Sequence, residues 1–268
     1  MKEDLIEQYI NYLVLSGKSE RTIELYVPIV ESYLIFSNGN PLAVSDKDLI
    51  KFILYKEGTR SREQCIGALK HLFTGVLHSP KKMKFVPKPK REQYIPNILT
   101  QCEAEKLMKN IGNLKHQAVI NLQYYGALRT GEITNLQILD IKKDATIHIR
   151  QSKGAKDRLI PIPDHLLFLL RKYYKVYKPE MFLFNGQNSP IYSDRSIQKI
   201  VKKYCKANGV YRKIRPHDLR HSRATHLHEN GMGIKFIRDL LGHKSIKTTE
   251  VYLHSSTVNL REAINKAS

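Results

Sequence analysis

The stretch KKMKFVPKPKR, residues 81–91, holds six basic side chains and two prolines and no acid. Like charges repel, and each proline fixes φ and removes a backbone donor. Such a run favours an extended connector over a packed element. A chain interrupted in this way has to build a core on each side of the break. At 268 residues in all, it is long enough to do so. The expected organisation is a first domain over residues 1–80, a basic linker over 81–97 and a second domain over 98–268.

The first 80 residues read as short helices. EDLIEQYINYLVLSG sets Leu5, Ile6, Tyr9, Ile10 and Leu13 on one face, with acids in the first turn and Gly17 as a stop. Ser19 opens a second helix that ends at the Asn38-Gly39 turn, with Pro28 expected to bend or split it. Ser45 is the expected N-cap of a third helix. A fourth runs from Thr59 to Pro80, and Arg60, Arg62, Lys70 and His71 give it a basic character. Those side chains suit either a phosphate backbone or a solvated face. Beyond the linker, Thr100 and Glu103 stand at capping-box spacing. HQAVINLQYYGALRTGEITNLQ is helical in pattern and is broken by Gly126. ATIHIRQSKGAKDRLIPIP alternates, is β-branched and has a Ser-Lys-Gly turn in its middle, which predicts a hairpin. Beyond Asp164 the pattern is mostly helical. The fold class is therefore mainly α: an all-α first domain, then an α+β second domain, mostly helical with a small antiparallel sheet.

Charge narrows the partners. Lys and Arg number 45 against 25 acids, a net charge of +20. Such a field attracts a polyanion, and nucleic acid is the usual one. No stretch approaches the roughly 18 apolar residues of a membrane span. The acidic residues near the N-terminus suit a surface helix better than a signal peptide. Cys65, Cys102 and Cys205 are odd in number and far apart, so a reducing cytoplasm is the expected compartment.

The residues with chemical potential are Arg, His, Lys and Tyr rather than clustered carboxylates, and no Walker or Rossmann motif occurs. A reaction without metal, nucleotide or other cofactor is expected. In RPHDLRHSRATHLHENG, His217, Arg220 and His221 share a helix face, and Pro216 suits its start. HDLRH is one residue type from the HExxH zinc signature. Against zinc, Asp218 is shorter than the required glutamate, and Arg220 and Arg223 would crowd a cation. Taken singly, Arg129 with Glu132 reads as a surface ion pair, Lys153 as a turn lysine and Tyr252 as a packing residue. Taken together, Arg129, Lys153, His217, Arg220, His243 and Tyr252 have the chemistry for attack on a phosphodiester. Guanidiniums clamp non-bridging oxygens, imidazoles donate to the same oxygens or help take the phenol proton, and a lysine protonates the leaving alkoxide. A tyrosine, with its pKa of about 10, needs such cationic surroundings to act as a nucleophile.

The motifs GALRTGE, SKGAKDR, HDLRHSRATH and LLGHKSIKTTEVY, in this order and at these separations, resemble those of the tyrosine recombinases, also called the phage integrase family. The likeness spans nearly the whole chain. It implies a SAM-like helical core-binding domain, a linker, and a catalytic domain from about residue 97. By position, Arg129 resembles the first catalytic arginine and Lys153 the general acid. His217 and Arg220 resemble the H-x-x-R pair, His243 the phosphate-binding histidine and Tyr252 the nucleophile. Glu132 fits a supporting position, while His221 and His226 are expected to be structural. Arg60, Arg62, Lys70, Lys88, Lys90 and Arg91 are candidate DNA contacts.

The implied reaction forms a 3′-phosphotyrosyl link and frees a 5′-hydroxyl, with four protomers acting on two duplexes that carry inverted-repeat sites. The chain begins at the core-binding domain and has short loops and a brief tail. It therefore looks more similar to the Xer recombinases, which resolve chromosome dimers with an accessory activator, than to lambda-type integrases. Leu260, Ala263 and Ile264 in the tail suit a short helix that docks on its own or a neighbouring protomer. The alternatives are the integrase of a mobile element, a topoisomerase without site preference, and a DNA-binding protein that does not cut.

Overall fold

The structure is a computed structural model, and it describes residues 2–87, 89, 97–150, 157–187, 189–243, 245–246 and 249. They fall in two compact units, Met1–Tyr94 and Ile95–Ser268. No described helix is long and apolar enough to cross a membrane.

The first unit is all helical: α1 (Lys2–Leu15), α2 (Glu20–Phe36), α3 (Asp46–Leu54) and α4 (Thr59–His71), which runs on as a π-helical turn over Leu72–Val76. The expected caps are present. The Ser19 and Ser45 hydroxyls accept from the backbone of Thr22 and Asp48, satisfying donors that the first turn leaves open. α2 continues unbroken through Pro28. The core joins Tyr9, Leu13, Val30, Tyr33, Phe52, Cys65, Leu69 and Phe73. Its two buried phenols keep partners, Tyr9 donating to the Ala68 carbonyl at 2.9 Å and Tyr33 to that of Pro41 at 3.1 Å.

Two details differ from the sequence reading. A 3-10 turn over Pro80–Met83 follows α4, and Met83 and Val86 pack against this core. The first residues of the basic stretch are therefore part of the first unit, because their apolar side chains find cover. His71 does not add to the basic face. Its half-buried ring lies 5.8 Å from Tyr12 and 6.1 Å from Tyr26. Burial first, then Lys18 and Lys70, lowers its pKa.

The second unit begins with α5 (Gln101–Lys109), opened by the expected Thr100–Glu103 capping box. α6 (Leu114–Tyr125) follows, then the short α7 (Thr130–Thr134), a hairpin of β1 (Thr146–Ile149) and β2 (Arg158–Pro161), α8 (Asp164–Tyr177), α9 (Asp194–Ala207), α10 (Pro216–Glu229) and α11 (Ile234–Leu241). The strands pair antiparallel, Ile147 with Ile160 and Ile149 with Arg158. α6 is buried along every residue from Ala118 to Tyr124 and packs against α8 and α10. A helix covered on all sides has to satisfy its own polar side chains. Gln123 accordingly donates to the Leu128 carbonyl at 2.6 Å and Asn121 to that of Gln117 at 2.9 Å.

Candidate active site

α10 starts at Pro216, whose missing N–H costs nothing at a first helical position. The buried Asp218 carboxylate accepts from the Arg215 backbone at 2.8 Å, so it serves the start of the helix. From there α10 presents two different faces. On one, Ser222 accepts from the Leu99 N–H at 2.9 Å. His226 Nε2 lies 2.8 Å from the Leu99 carbonyl and Nδ1 2.8 Å from the Tyr124 hydroxyl. A carbonyl only accepts, so Nε2 carries the proton and Nδ1 takes that of Tyr124. His226 is thus a structural tie, as expected. On the other face lie His217, Arg220 and His221, with the rings of His217 and His221 edge to face at 4.3 Å.

Arg220 is fully buried. Its guanidinium donates to the Ala127 carbonyl at 2.6 Å and to the Leu241 carbonyl. Ala127 takes a left-handed conformation with φ 48°, in the turn between α6 and α7. Arg129 follows as the N-cap of α7. Its backbone N–H donates to Glu132 Oε2 at 2.8 Å, its Nη1 to Oε1 at 2.7 Å and its Nη2 to the Gly242 carbonyl at 3.1 Å. Glu132 is therefore a hub. Arg158, the first residue of β2, grips it with both terminal nitrogens at 3.0 and 2.8 Å and donates from Nε to the Leu240 carbonyl at 3.2 Å. Arg220 Nη1 lies 3.8 Å from Glu132 Oε2. Three guanidiniums thus surround one carboxylate.

α11 closes the arrangement. It ends at Gly242 in the left-handed region, φ 60°, a conformation that glycine adopts without steric cost. The turn delivers His243, whose Nδ1 lies 3.0 Å from the hydroxyl of buried Thr249. Burial pushes His243 down to about 4, with Arg220, Arg129 and His217 acting in the same direction. His221 falls to about 3, by burial and then His217. His217 is lowered by burial and then Arg220. Burial by itself raises the Glu132 carboxyl, but the Arg158 hydrogen bond and charge, with the Arg129 N–H and Arg220, outweigh it and hold the group below its ordinary range. Near pH 7 the described residues of the site therefore combine neutral imidazoles with the Glu132 carboxylate and the guanidiniums of Arg129, Arg158 and Arg220. This combination suits a polyanionic substrate with developing charge.

The phage integrase family model matches residues 97–258, more than half of the chain and all of this cluster. The chain belongs to that family. It is similar to the tyrosine recombinase XerA of Pyrococcus horikoshii, 37% identical over 279 residues that cover 100% of this chain and 94% of the relative. A crystal structure of XerA recombinase matches at 25% identity and a TM-score of 0.61, covering 98% of each chain. A lambda integrase dimer bound to a COC′ core site matches at a TM-score of 0.75 over 93% of this chain and 94% of that one. At 18% identity that likeness is one of fold. The resemblance read from the four motifs and the mainly helical fold class are both borne out.

Of the residues expected to serve this phage integrase site, the structure brings together Arg129, Glu132, His217, Arg220 and His243. Lys153 and Tyr252 lie outside the described residues, as do Lys88, Lys90, Arg91, Leu260, Ala263 and Ile264. In the first unit, Arg60 and Lys70 are exposed, while Arg62 donates to the Lys56 carbonyl at 3.0 Å. Sequence reasoning passed over Arg158. Its signal was parity: it lines up with Ile160 and Ile162 on the inward face of the hairpin, where an arginine requires a buried acceptor. His221, taken as structural, stands against His217 within the cluster.

Proposed function

We propose that this chain is a site-specific tyrosine recombinase of the Xer kind, which cuts and rejoins duplex DNA with Tyr252 as nucleophile. The observation that carries the reading is the convergence of Arg129, Arg158 and Arg220 on Glu132, with His217 and His243 beside those arginines, in a member of the phage integrase family. The Tyr252 oxygen attacks the scissile phosphorus as its proton leaves. The bond from phosphorus to the 5′ oxygen breaks, and Lys153 supplies the proton that this oxygen takes up. The 3′-phosphotyrosyl link conserves the energy of the broken bond. A 5′-hydroxyl from the partner strand then reverses the step without ATP.

The described residues suit the electrostatic part of this task. The Arg129 side chain is 38% exposed and is the guanidinium that meets an arriving phosphate. Neutral His217 and His243 act as hydrogen-bond donors to its oxygens. His243 Nδ1 lies 3.0 Å from the Thr249 hydroxyl, a contact that orients the ring. Arg220 has no exposed surface, so its contact with a phosphate requires a rearrangement on DNA. The roles of Lys153 and Tyr252 rest on their positions in the motifs. The resemblance read from the motifs carries the proposal on to inverted-repeat sites, to four protomers on two duplexes, to chromosome or plasmid dimer resolution and to an accessory activator.

The test is covalent capture. Wild-type protein incubated with nicked duplex, selected by the protein from a randomised pool, is expected to yield an SDS-resistant adduct that persists in EDTA. Tyr252→Phe is expected to bind the same duplex and yield none. Equal adduct from Tyr252→Phe removes the nucleophile assignment, and binding without any wild-type adduct favours the non-cutting alternative.

A further inference from the structure

We infer that Arg158 is a positioning residue of the strand-cutting site: by holding Glu132 with both guanidinium nitrogens, it keeps that carboxylate from neutralising Arg129. The inference rests on the reading of the site as a recombinase centre. It concerns a residue to which neither the motifs nor the proposed chemistry assigns a task.

The geometry is one of shared acceptors. Each Glu132 oxygen accepts once from Arg129 and once from Arg158. On the Arg129 side, one of those two bonds comes from the backbone and only one from the side chain. Arg158 contributes both of its bonds from the side chain, in the planar two-point geometry that matches a carboxylate. Its own side chain is only 10% exposed and Glu132 only 12%, so their attraction is little screened by water. Arg129 is the more exposed partner. With Arg158 in place, the negative charge is largely committed at the base of the site, and Arg129 keeps donors and net positive charge for a phosphate. Without Arg158, Glu132 has Arg129 as its nearest remaining guanidinium, with Arg220 at 3.8 Å. The carboxylate then draws Arg129 down and competes with the substrate for it.

Arg158 also ties three pieces of the site together. It begins the strand β2, grips Glu132 in the first turn of α7, and donates to the Leu240 carbonyl at the end of α11. The turn after α11 is shaped to admit it. A Cβ on Gly242 would lie 2.8 Å from Arg158 Nη1 and 3.0 Å from Cζ. The next residue is His243. The same side chain that holds Glu132 thus sets the backbone that presents the imidazole.

The experiment measures the rate of covalent adduct formation on nicked duplex selected by the wild-type protein, with duplex affinity measured in parallel. Arg158→Ala is expected to slow adduct formation by roughly 10²-fold, the scale of losing one preorganised electrostatic contact, with affinity within about threefold of wild type. Arg158→Lys keeps the charge without the two-point geometry and is expected to fall between the two. The decisive variant is the double change Glu132→Gln with Arg158→Ala. Removing the competing charge is expected to recover at least tenfold over Arg158→Ala alone. A residue that merely supports the fold gives no such recovery, because a second lesion only adds to the first. Adduct formation by Arg158→Ala within twofold of wild type overturns the inference, as does a double variant no faster than the single one. No adduct from wild type is a different result and overturns the recombinase reading itself.

Discussion

At the scale of single residues, the chemistry depends on which groups are charged. Burial first, with His217 acting next on His221 and Arg220 on His243, holds these two rings neutral, at about 3 and about 4. An unfolded histidine takes its proton near pH 6.5. Below that value the unfolded chain binds protons that the folded chain refuses, so stability is complete above about pH 6.5 and is lost as the pH falls towards 4. Thermal melts should therefore show Tm decreasing from pH 7 to pH 5, and His221→Asn should flatten that slope; an unchanged slope contradicts the assignment. Much of the site was legible at this scale. Arg129, His217, Arg220 and His243 each stand in a motif whose chemistry is recognisable. Arg158 was not, because its function depends on a carboxylate 26 positions away, and a charged residue at the start of a strand looks like an ordinary surface residue.

At the scale of elements, local rules accounted for most boundaries. Ser19, Ser45 and Thr100 cap where expected, Gly126 ends α6 and the alternating segment pairs as a hairpin. The departures are places where tertiary packing overrode a local signal. Pro28 leaves α2 whole, and His71 exchanges a basic surface role for a place beside two tyrosines. The π-helical turn after α4 is another, since nothing local marks it. Gly75 lies within it, and a Cβ there would come within 2.0–2.4 Å of the Tyr12 ring. Gly75→Ala should destabilise the protein by about 1–3 kcal/mol through overpacking, visible as a lower Tm. An unaltered Tm would show that Tyr12 moves aside freely. Gly242 combines both constraints, a left-handed backbone and the space that Arg158 fills. Gly242→Ala should lower Tm and adduct formation together, whereas a change at exposed Ser245 should do neither.

At the scale of the whole molecule, the net charge of +20 makes binding to a duplex an exchange of counterions. Affinity should fall steeply with salt, by roughly 10³-fold or more between about 50 and 200 mM. A flat dependence in a fluorescence anisotropy titration removes the role assigned to the field. The chain divides into two compact units, Met1–Tyr94 and Ile95–Ser268. Among the described residues, each apolar cluster draws on a single unit: Tyr9 to Phe73 in the first, and Leu99 to Leu219 with the Ala127–Leu241 group in the second. The consequence is modular inheritance. Arg129, Glu132, Arg158, His217, Arg220 and His243 all come from the second unit, so an exchange of the first leaves this set of residues in place. On the proposed function, a chimera with a relative's first unit should still form the covalent adduct through Tyr252, and no adduct from a folded chimera contradicts that modularity.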